Sequence, residues 1–133
     1  MKIKHLLLVL AFSALAFTAK AQVSFSCYYR EVCPWNESKQ QYSDDCNGRE
    51  EASLFVMNDD ETMFTHTTAS AKTTYYVKER EYDEKNDLFA YDVVSDVGNT
   101  YYFIFDPNNN EIRFLSDDDD YETMTRYLVK AIF

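Results

Sequence analysis

The sequence predicts an all-β domain, an antiparallel meander of about seven strands that forms a small barrel or a strongly curved sheet. From residue 52 onward, short runs rich in aromatic and β-branched residues alternate with clusters of Asp, Asn and Lys. This alternation is typical of strands and turns. Most connections between the runs are short and polar, which suits antiparallel hairpins and leaves no room for parallel crossovers.

Each predicted strand is one of these runs. In the last run Arg126 and Lys130 fall on one side, which predicts one wet face and one buried face. The side predicted to be buried carries Thr123, Thr125, Tyr127, Val129, Ala131 and Phe133. In chain order the seven strands are Ser53–Met57, Thr62–Thr67, Thr73–Tyr82, Leu88–Ser95, Thr100–Asp106, Ile112–Ser116 and Thr123–Phe133.

The run Thr100–Asp106 differs from the others because it is apolar on both sides. Phe103 and Phe105 alternate with Tyr102 and Ile104. A strand that is apolar on both faces is usually covered on both faces. We therefore expect it in the middle of the sheet, at the core of the fold.

The N-terminus has the pattern of a secretory signal peptide. Lys2 and Lys4 precede an apolar run from Leu6 to Phe17, and Ala19 and Ala21 are small residues at the positions that a signal peptidase reads. The apolar run is shorter than the roughly 20 residues that span a bilayer. We expect cleavage after Ala21 and a secreted or periplasmic protein, and a short, lysine-led signal of this kind is typical of bacteria.

Three segments follow from these patterns: a signal peptide at 1–21, an irregular cysteine-containing segment at 22–51, and the antiparallel β domain at 52–133. Cleavage removes three lysines and no acid from a chain of net charge −10, so the mature domain carries −13. Such a charge disfavours nucleic acid and anionic membrane surfaces as partners, because binding either depends on Lys and Arg. After cleavage we expect no membrane insertion.

The three cysteines, Cys27, Cys33 and Cys46, all lie in the segment 22–51. Export allows a disulfide, and the odd count leaves one thiol over. We prefer a bridge between Cys33 and Cys46, which would close a polar loop onto the β domain. Pairings of Cys27 with Cys46 or with Cys33 stay open, since sequence does not settle connectivity. The spacing does not favour a structural zinc site.

One polar turn has the spacing of a calcium loop. Asp106, Asn108, Asn110 and Asp117 occupy the first, third, fifth and twelfth positions of an EF-hand pattern. Glu111 stands where that loop needs glycine, and the flanks are predicted strands. A plain hairpin turn is therefore the preferred interpretation, and we expect no bound metal or other cofactor.

Enzymatic function finds little support. His66 is the only histidine after residue 21, and no nucleophile motif accompanies it. Gly48 and Gly98 are the only glycines, so no phosphate-binding loop is present. We expect a structural or surface role for His66 and no catalytic residues.

The preferred functional hypothesis is a secreted, acidic binding or interaction module whose partner is an unknown protein or small ligand. Tyrosines stand in adjacent pairs on predicted strands, so one of each pair faces outward, where tyrosine favours recognition; they are Tyr75, Tyr76, Tyr101 and Tyr102. A barrel that encloses a small apolar ligand is one form of this hypothesis, although 112 mature residues are few for eight long strands. The alternatives are an acidic inhibitor or immunity-type protein that covers a basic partner and, less favoured, a small hydrolase.

Overall fold

The computed structural model describes residues 22–133, and these residues form an all-β fold, as the sequence predicts. The predicted signal peptide lies outside the described residues. The nine strands of residues 22–133 are β1 Val23–Asn36, β2 Gln41–Tyr42, β3 Asn47–Met57, β4 Met63–Thr67, β5 Lys72–Asp83, β6 Leu88–Ser95, β7 Thr100–Asp106, β8 Glu111–Ser116 and β9 Thr123–Ile132. Short 3-10 turns at Pro107–Asn109 and Asp117–Asp119 precede β8 and β9.

Eight of these strands close into an antiparallel barrel. From β3 to β9 each strand pairs with the next one along the chain, and β1 pairs with both β3 and β9. The β1–β9 pairing joins the two edges of the meander and leaves neither edge exposed for aggregation. The short β2 is an additional strand that pairs only with the end of β1.

All seven sequence-predicted strands are present, with bounds that agree closely from residue 62 onward. The segment 22–51 is different from the expectation, because it is not irregular. It contributes the 14-residue β1 and the first residues of β3. Exposed and half-buried polar residues interrupt the apolar positions of β1, and Pro34 lies near its end, so local sequence gives little strand signal there.

The interior of the barrel is filled with aromatic rings. Phe55, Phe64 and Phe103 are completely buried. The centroid of Phe103 lies 4.9 Å from that of Phe64 and 5.0 Å from that of Phe114. Side chains at alternate positions of each strand point inward, as the pleat requires, and their rings interlock in edge-to-face and stacked pairs that add to the stability from burial.

The strand β7 has the buried inner face that the sequence predicts, since Phe103 and Phe105 are 0% and 3% exposed. Its outer residues Tyr102 and Ile104 are only half-buried. A closed barrel has no middle strand, and covering the outer face of β7 fully would need a second layer. The apolar residues on both faces therefore predict correctly that β7 contributes to the core, but they do not predict that its outer face is only half-buried.

Charged residues on the outside connect the strands around the point where the barrel closes. Arg113 on β8 binds Asp106 at 3.2 Å and Glu111 at 2.7 Å. Arg126 on β9 approaches Glu111 at 3.8 Å and donates from Nε to Glu31 on β1 at 2.9 Å. All five side chains are less than about a third exposed, so this ladder links β7, β8, β9 and β1 in succession and complements their backbone pairing.

A disulfide joins Cys33 to Cys46, as the sequence analysis preferred, and Cys27 is the free, buried cysteine. Cys33 lies on β1 and is completely buried. Ser43, near Cys46, donates its backbone N–H to the Pro34 carbonyl at 2.8 Å. The bridge and this hydrogen bond hold the loop between β2 and β3 against the end of β1. This end of the barrel is called the disulfide end.

The opposite end, called the open end, carries the first residues of β1, the last residues of β9, and three turns. The turns span residues 58–62, 84–87 and 107–110. Tyr82 and Asn108 both donate to the Asp87 carboxylate, at 2.6 and 3.1 Å, and so connect two of these turns. No helix within residues 22–133 is long and apolar enough to cross a membrane.

Candidate functional site

The open end of the barrel contains a cavity of about 470 Å³. Its volume lies within the range typical of small-molecule sites, and its wall is mostly apolar, as in such sites. The lining residues come from the beginnings or ends of five strands and from two turns. They are Val23, Phe25, Met57, Asn58, Asp59, Glu61, Phe89, Tyr91, Phe105, Pro107 and Ile132.

Aromatic rings form the floor of the cavity. The Phe105 centroid lies 5.2 Å from that of Phe25 and 5.4 Å from that of Tyr91, and both pairs are edge to face. Phe64, completely buried beneath them, has its centroid 5.3 Å from that of Phe105. Because these rings hold one another in place, the cavity ends on a rigid, packed core and does not continue through the barrel.

The rim of the cavity is apolar on the side formed by β1 and β9. Val23 is 39% exposed and Ile132 is 42% exposed. They lie near the beginning of β1 and at the end of β9, the two strands that close the barrel. Apolar side chains on a rim above an apolar floor give a continuous apolar route from solvent into the cavity.

A polar turn between β3 and β4 brings a carboxylate to this apolar cavity. The Asn58 side chain accepts from the backbone N–H groups of Thr62 and Met63 at 3.0 and 3.1 Å. Glu61 donates its own N–H to the Asn58 carbonyl at 3.2 Å and has φ = 58°. This left-handed conformation is uncommon for Glu, and the asparagine-centred hydrogen bonds hold the turn in it.

The Glu61 carboxylate is bound on two sides. Its Oε1 accepts from the Tyr91 hydroxyl at 3.1 Å, and its Oε2 forms an ion pair with Arg80. Tyr91 is 3% exposed. Burial, with a further contribution from Glu61, raises the pKa of Tyr91 well above its ordinary value, so the hydroxyl stays a hydrogen-bond donor at neutral pH.

The tyrosines that the sequence singled out divide between the inside and the outside of the barrel. Tyr75 and Tyr101 point inward, with ring centroids 5.6 Å apart, and neither lines the cavity. Tyr76 is 47% exposed, and Tyr102 is half-buried on the outer face. The outward direction of one residue in each pair agrees with the sequence pattern, and a recognition role for them stays a prediction.

The four residues with calcium-loop spacing do not form one cluster. Asp106 precedes β8 and Asp117 follows it, so the strand separates them. The Asp106 carboxylate is buried and accepts from Arg113 at 3.2 Å, and Asn108 donates to Asp87 at 3.1 Å. Asn110 takes a left-handed conformation, with its N–H bound to the Pro107 carbonyl. This geometry is that of a hairpin turn.

One other group of possible metal ligands occurs among the described residues, formed by Glu31, Cys33 and Cys46. The two sulfur atoms are bonded to each other in the disulfide. They are therefore not available as thiolate ligands.

His66 and Cys27 are buried on the inner face of the barrel. The His66 ring stacks on Phe55 at a centroid distance of 3.9 Å, and its Nε2 has no hydrogen-bond partner. Burial lowers the pKa of His66 to about 4 and raises that of Cys27 to about 11. Both groups are therefore neutral at pH 7.

Sequence reasoning did not identify the cavity. The lining residues that lie on strands have the same apolar residue types and the same period-two spacing as the packed core. The only local signal is the acidic, asparagine-led turn at 58–62, which is one of several such turns. The sequence matches no known family model, and neither a curated protein nor a solved structure matches it significantly.

Proposed function

We propose that this protein is a binding module that takes a small apolar ligand into the cavity at the open end of the barrel. The observation that carries the proposal is the cavity itself, about 470 Å³ of mostly apolar space with one hydrogen-bonded carboxylate at its edge. An apolar wall with a few placed polar groups is the usual composition of a small-molecule site. The binding module expected from the sequence would thus bind small apolar molecules at the open end of the barrel.

Two further features support the proposal. The apolar rim residues Val23 and Ile132 are more than a third exposed, so the unliganded protein leaves apolar surface in contact with water. Each square ångström of such surface that a ligand covers contributes roughly 25 cal/mol. The floor is formed by packed rings and the strands are closed into a barrel, so the site needs little rearrangement to bind.

We also propose that the module acts outside the cytoplasm. The Cys33–Cys46 disulfide is typical of proteins from oxidising compartments, and the N-terminal pattern at 1–21 is typical of an export signal. Intact-mass analysis of protein from the culture medium or periplasm tests this. A chain that begins at Gln22 supports the proposal, and a chain that retains Met1 contradicts it.

The binding proposal is tested by titrating the purified protein with N-phenyl-1-naphthylamine, a neutral apolar probe that fluoresces when it leaves water. We expect saturable binding of one probe per chain. Val23→Gln, which places an amide on the cavity wall, should weaken binding by about tenfold, because about 1.4 kcal/mol of apolar contact is lost.

Val97→Gln is the matched control. Val97 is 78% exposed, lies in the turn between β6 and β7 at the disulfide end, and undergoes the same chemical change. It should leave probe affinity unchanged. Absence of saturable binding, or equal loss of affinity in the two variants, would contradict the proposed site.

A further inference from the structure

The charged residues that line the cavity are all of one sign. Two carboxylates, those of Asp59 and Glu61, are among its lining residues, and no Lys, Arg or His is. The chain as a whole is acidic, with a net charge of −10. Clefts lined by one sign of charge with low-dielectric walls concentrate ligands of the opposite sign.

Arg80 does not reverse this balance. It reaches the Glu61 carboxylate from β5, but its side chain is 51% exposed and it does not line the cavity. Its charge is therefore largely solvated and weakened by salt, as for other exposed ion pairs. Among residues 22–133 the Asp59 carboxylate has no ion-pair partner, and the residue is exposed at the mouth of the cavity.

The Glu61 carboxylate is positioned to receive a further hydrogen bond. A carboxylate offers about four lone-pair sites, and the contacts with Tyr91 and Arg80 occupy two of them. The Tyr91 hydroxyl and the turn around Asn58 fix the position of Glu61. A donor group on a ligand would therefore meet an acceptor that is already oriented, which lowers the ordering cost of binding.

We propose that the cavity selects apolar cations: the apolar body of the ligand fills the cup above Phe25 and Phe105, and its ammonium group lies beside Glu61 and Asp59. This inference rests on the proposed binding function and adds the charge of the ligand to it. An alkyl carboxylate of the same length would place a third negative charge beside the two carboxylates, and the cavity wall offers no cation to compensate for it.

The test compares three displacers that share one alkyl chain: dodecylamine, dodecanol and dodecanoate. Dodecylamine and dodecanoate are used below their micelle concentrations and dodecanol below its solubility limit, all at pH 7 and low salt. Each competes with bound N-phenyl-1-naphthylamine. We expect dodecylamine to displace the probe at concentrations about tenfold or more below those of dodecanoate, with dodecanol between them, since opposite charges attract and like charges repel at this range. Equal potency of the three, or a preference for dodecanoate, would overturn the inference.

Glu61→Gln tests whether Glu61 causes the preference for the amine over the carboxylate. It keeps the side-chain shape and should reduce the ratio between amine and carboxylate severalfold. Glu50→Gln, an exposed residue near the beginning of β3 at the disulfide end, makes the same change in net charge and should keep the ratio. Asp59→Asn, which leaves the Glu61 contacts in place, should reduce it by a smaller amount. An unchanged ratio in both cavity variants would overturn the assignment.

Failure of this inference is distinguishable from failure of the proposed function. If the neutral probe does not bind at all, the cavity is not a binding site. If the probe binds, Val23→Gln weakens it, and the three displacers are equal, the cavity binds apolar ligands without selecting their charge.

Discussion

The buried His66 makes a quantitative prediction for stability at mildly acidic pH. The imidazole is 8% exposed, stacks on Phe55 at 3.9 Å and meets Tyr127 edge to face at 4.8 Å. Burial is the main cause that lowers the pKa of His66 to about 4. The Glu51 carboxylate raises this pKa in part, and the Arg30 guanidinium lowers it. Protonation therefore requires a charge inside an aromatic core, which low-dielectric surroundings strongly disfavour.

The direction in which stability changes with pH follows from proton uptake by the unfolded chain. In the unfolded chain His66 titrates near its ordinary pKa of 6.5, whereas in the folded chain it stays neutral down to about pH 4. Between these values the unfolded state binds the additional proton, so stability falls as the pH falls through this window. The loss approaches about 3 kcal/mol near pH 4, since each pKa unit corresponds to about 1.4 kcal/mol.

The assay is urea denaturation at steps from pH 7 to pH 4, on the wild-type protein and on His66→Phe. Carboxylates titrate in both proteins, so the difference between the two curves isolates His66. We expect the phenylalanine variant to lose about 3 kcal/mol less than the wild type across this range. Parallel curves would refute the reasoning and would mean that the imidazole reaches water or a hydrogen-bond partner in the folded state.

Three further predictions concern the core and the cysteines. Phe103→Ala should cost about 3 to 5 kcal/mol in chemical denaturation, the range for a large buried aromatic, because Phe103 is completely buried among other rings; a loss below about 1 kcal/mol would place it at the surface. Reduction of the Cys33–Cys46 disulfide, which spans 13 positions, should lower stability by about 3 kcal/mol, and equal melting temperatures with and without reductant would contradict this. Cys27 is 3% exposed, and burial raises the pKa of its thiol to about 11. The thiol should therefore react with a thiol reagent only after denaturation, and rapid labelling of the native protein would contradict its burial.

Most of the fold is predictable from local sequence patterns. Alternation in the run Thr123–Phe133 predicts the buried face of β9 correctly in its middle, at Thr125, Tyr127 and Val129. The prediction is wrong at the end of the run, where Ala131 and Phe133 are exposed at the open end of the barrel. The hairpin turns followed from their short polar composition. In these cases residues close in sequence determine the structure, so periodicity and turn chemistry are sufficient.

Closure of the barrel was not predictable in the same way. It depends on the pairing of β1 with β9, in which Glu31 lies opposite Arg126, and these residues are far apart in the chain. The polar, turn-rich composition of the segment 22–51 predicts an irregular chain. Pairing with β3 on one side and β9 on the other makes residues 23–36 a strand.

The candidate site was not predictable because a cavity is a property of packing. Phe25, Met57 and Phe105 have the residue types of core positions, and only their place at the open end of the barrel leaves space between them. The role of Glu61 depends on its left-handed turn and on Tyr91, 30 positions away. The disulfide was predictable from the sequence because three cysteines allow few pairings.

Ligand binding in the cavity is tested most directly by methyl NMR of the methionines during titration with N-phenyl-1-naphthylamine. Met57 is 4% exposed and lines the cavity, whereas Met124 lies on the half-buried outer face of β9. Aromatic ring currents shift methyl signals only at short range, so the two residues report on different surfaces. If the probe binds in the cavity, the Met57 methyl signal shifts saturably and the Met124 signal stays unchanged. A shift confined to Met124, or no shift of Met57 at saturating probe, would contradict it.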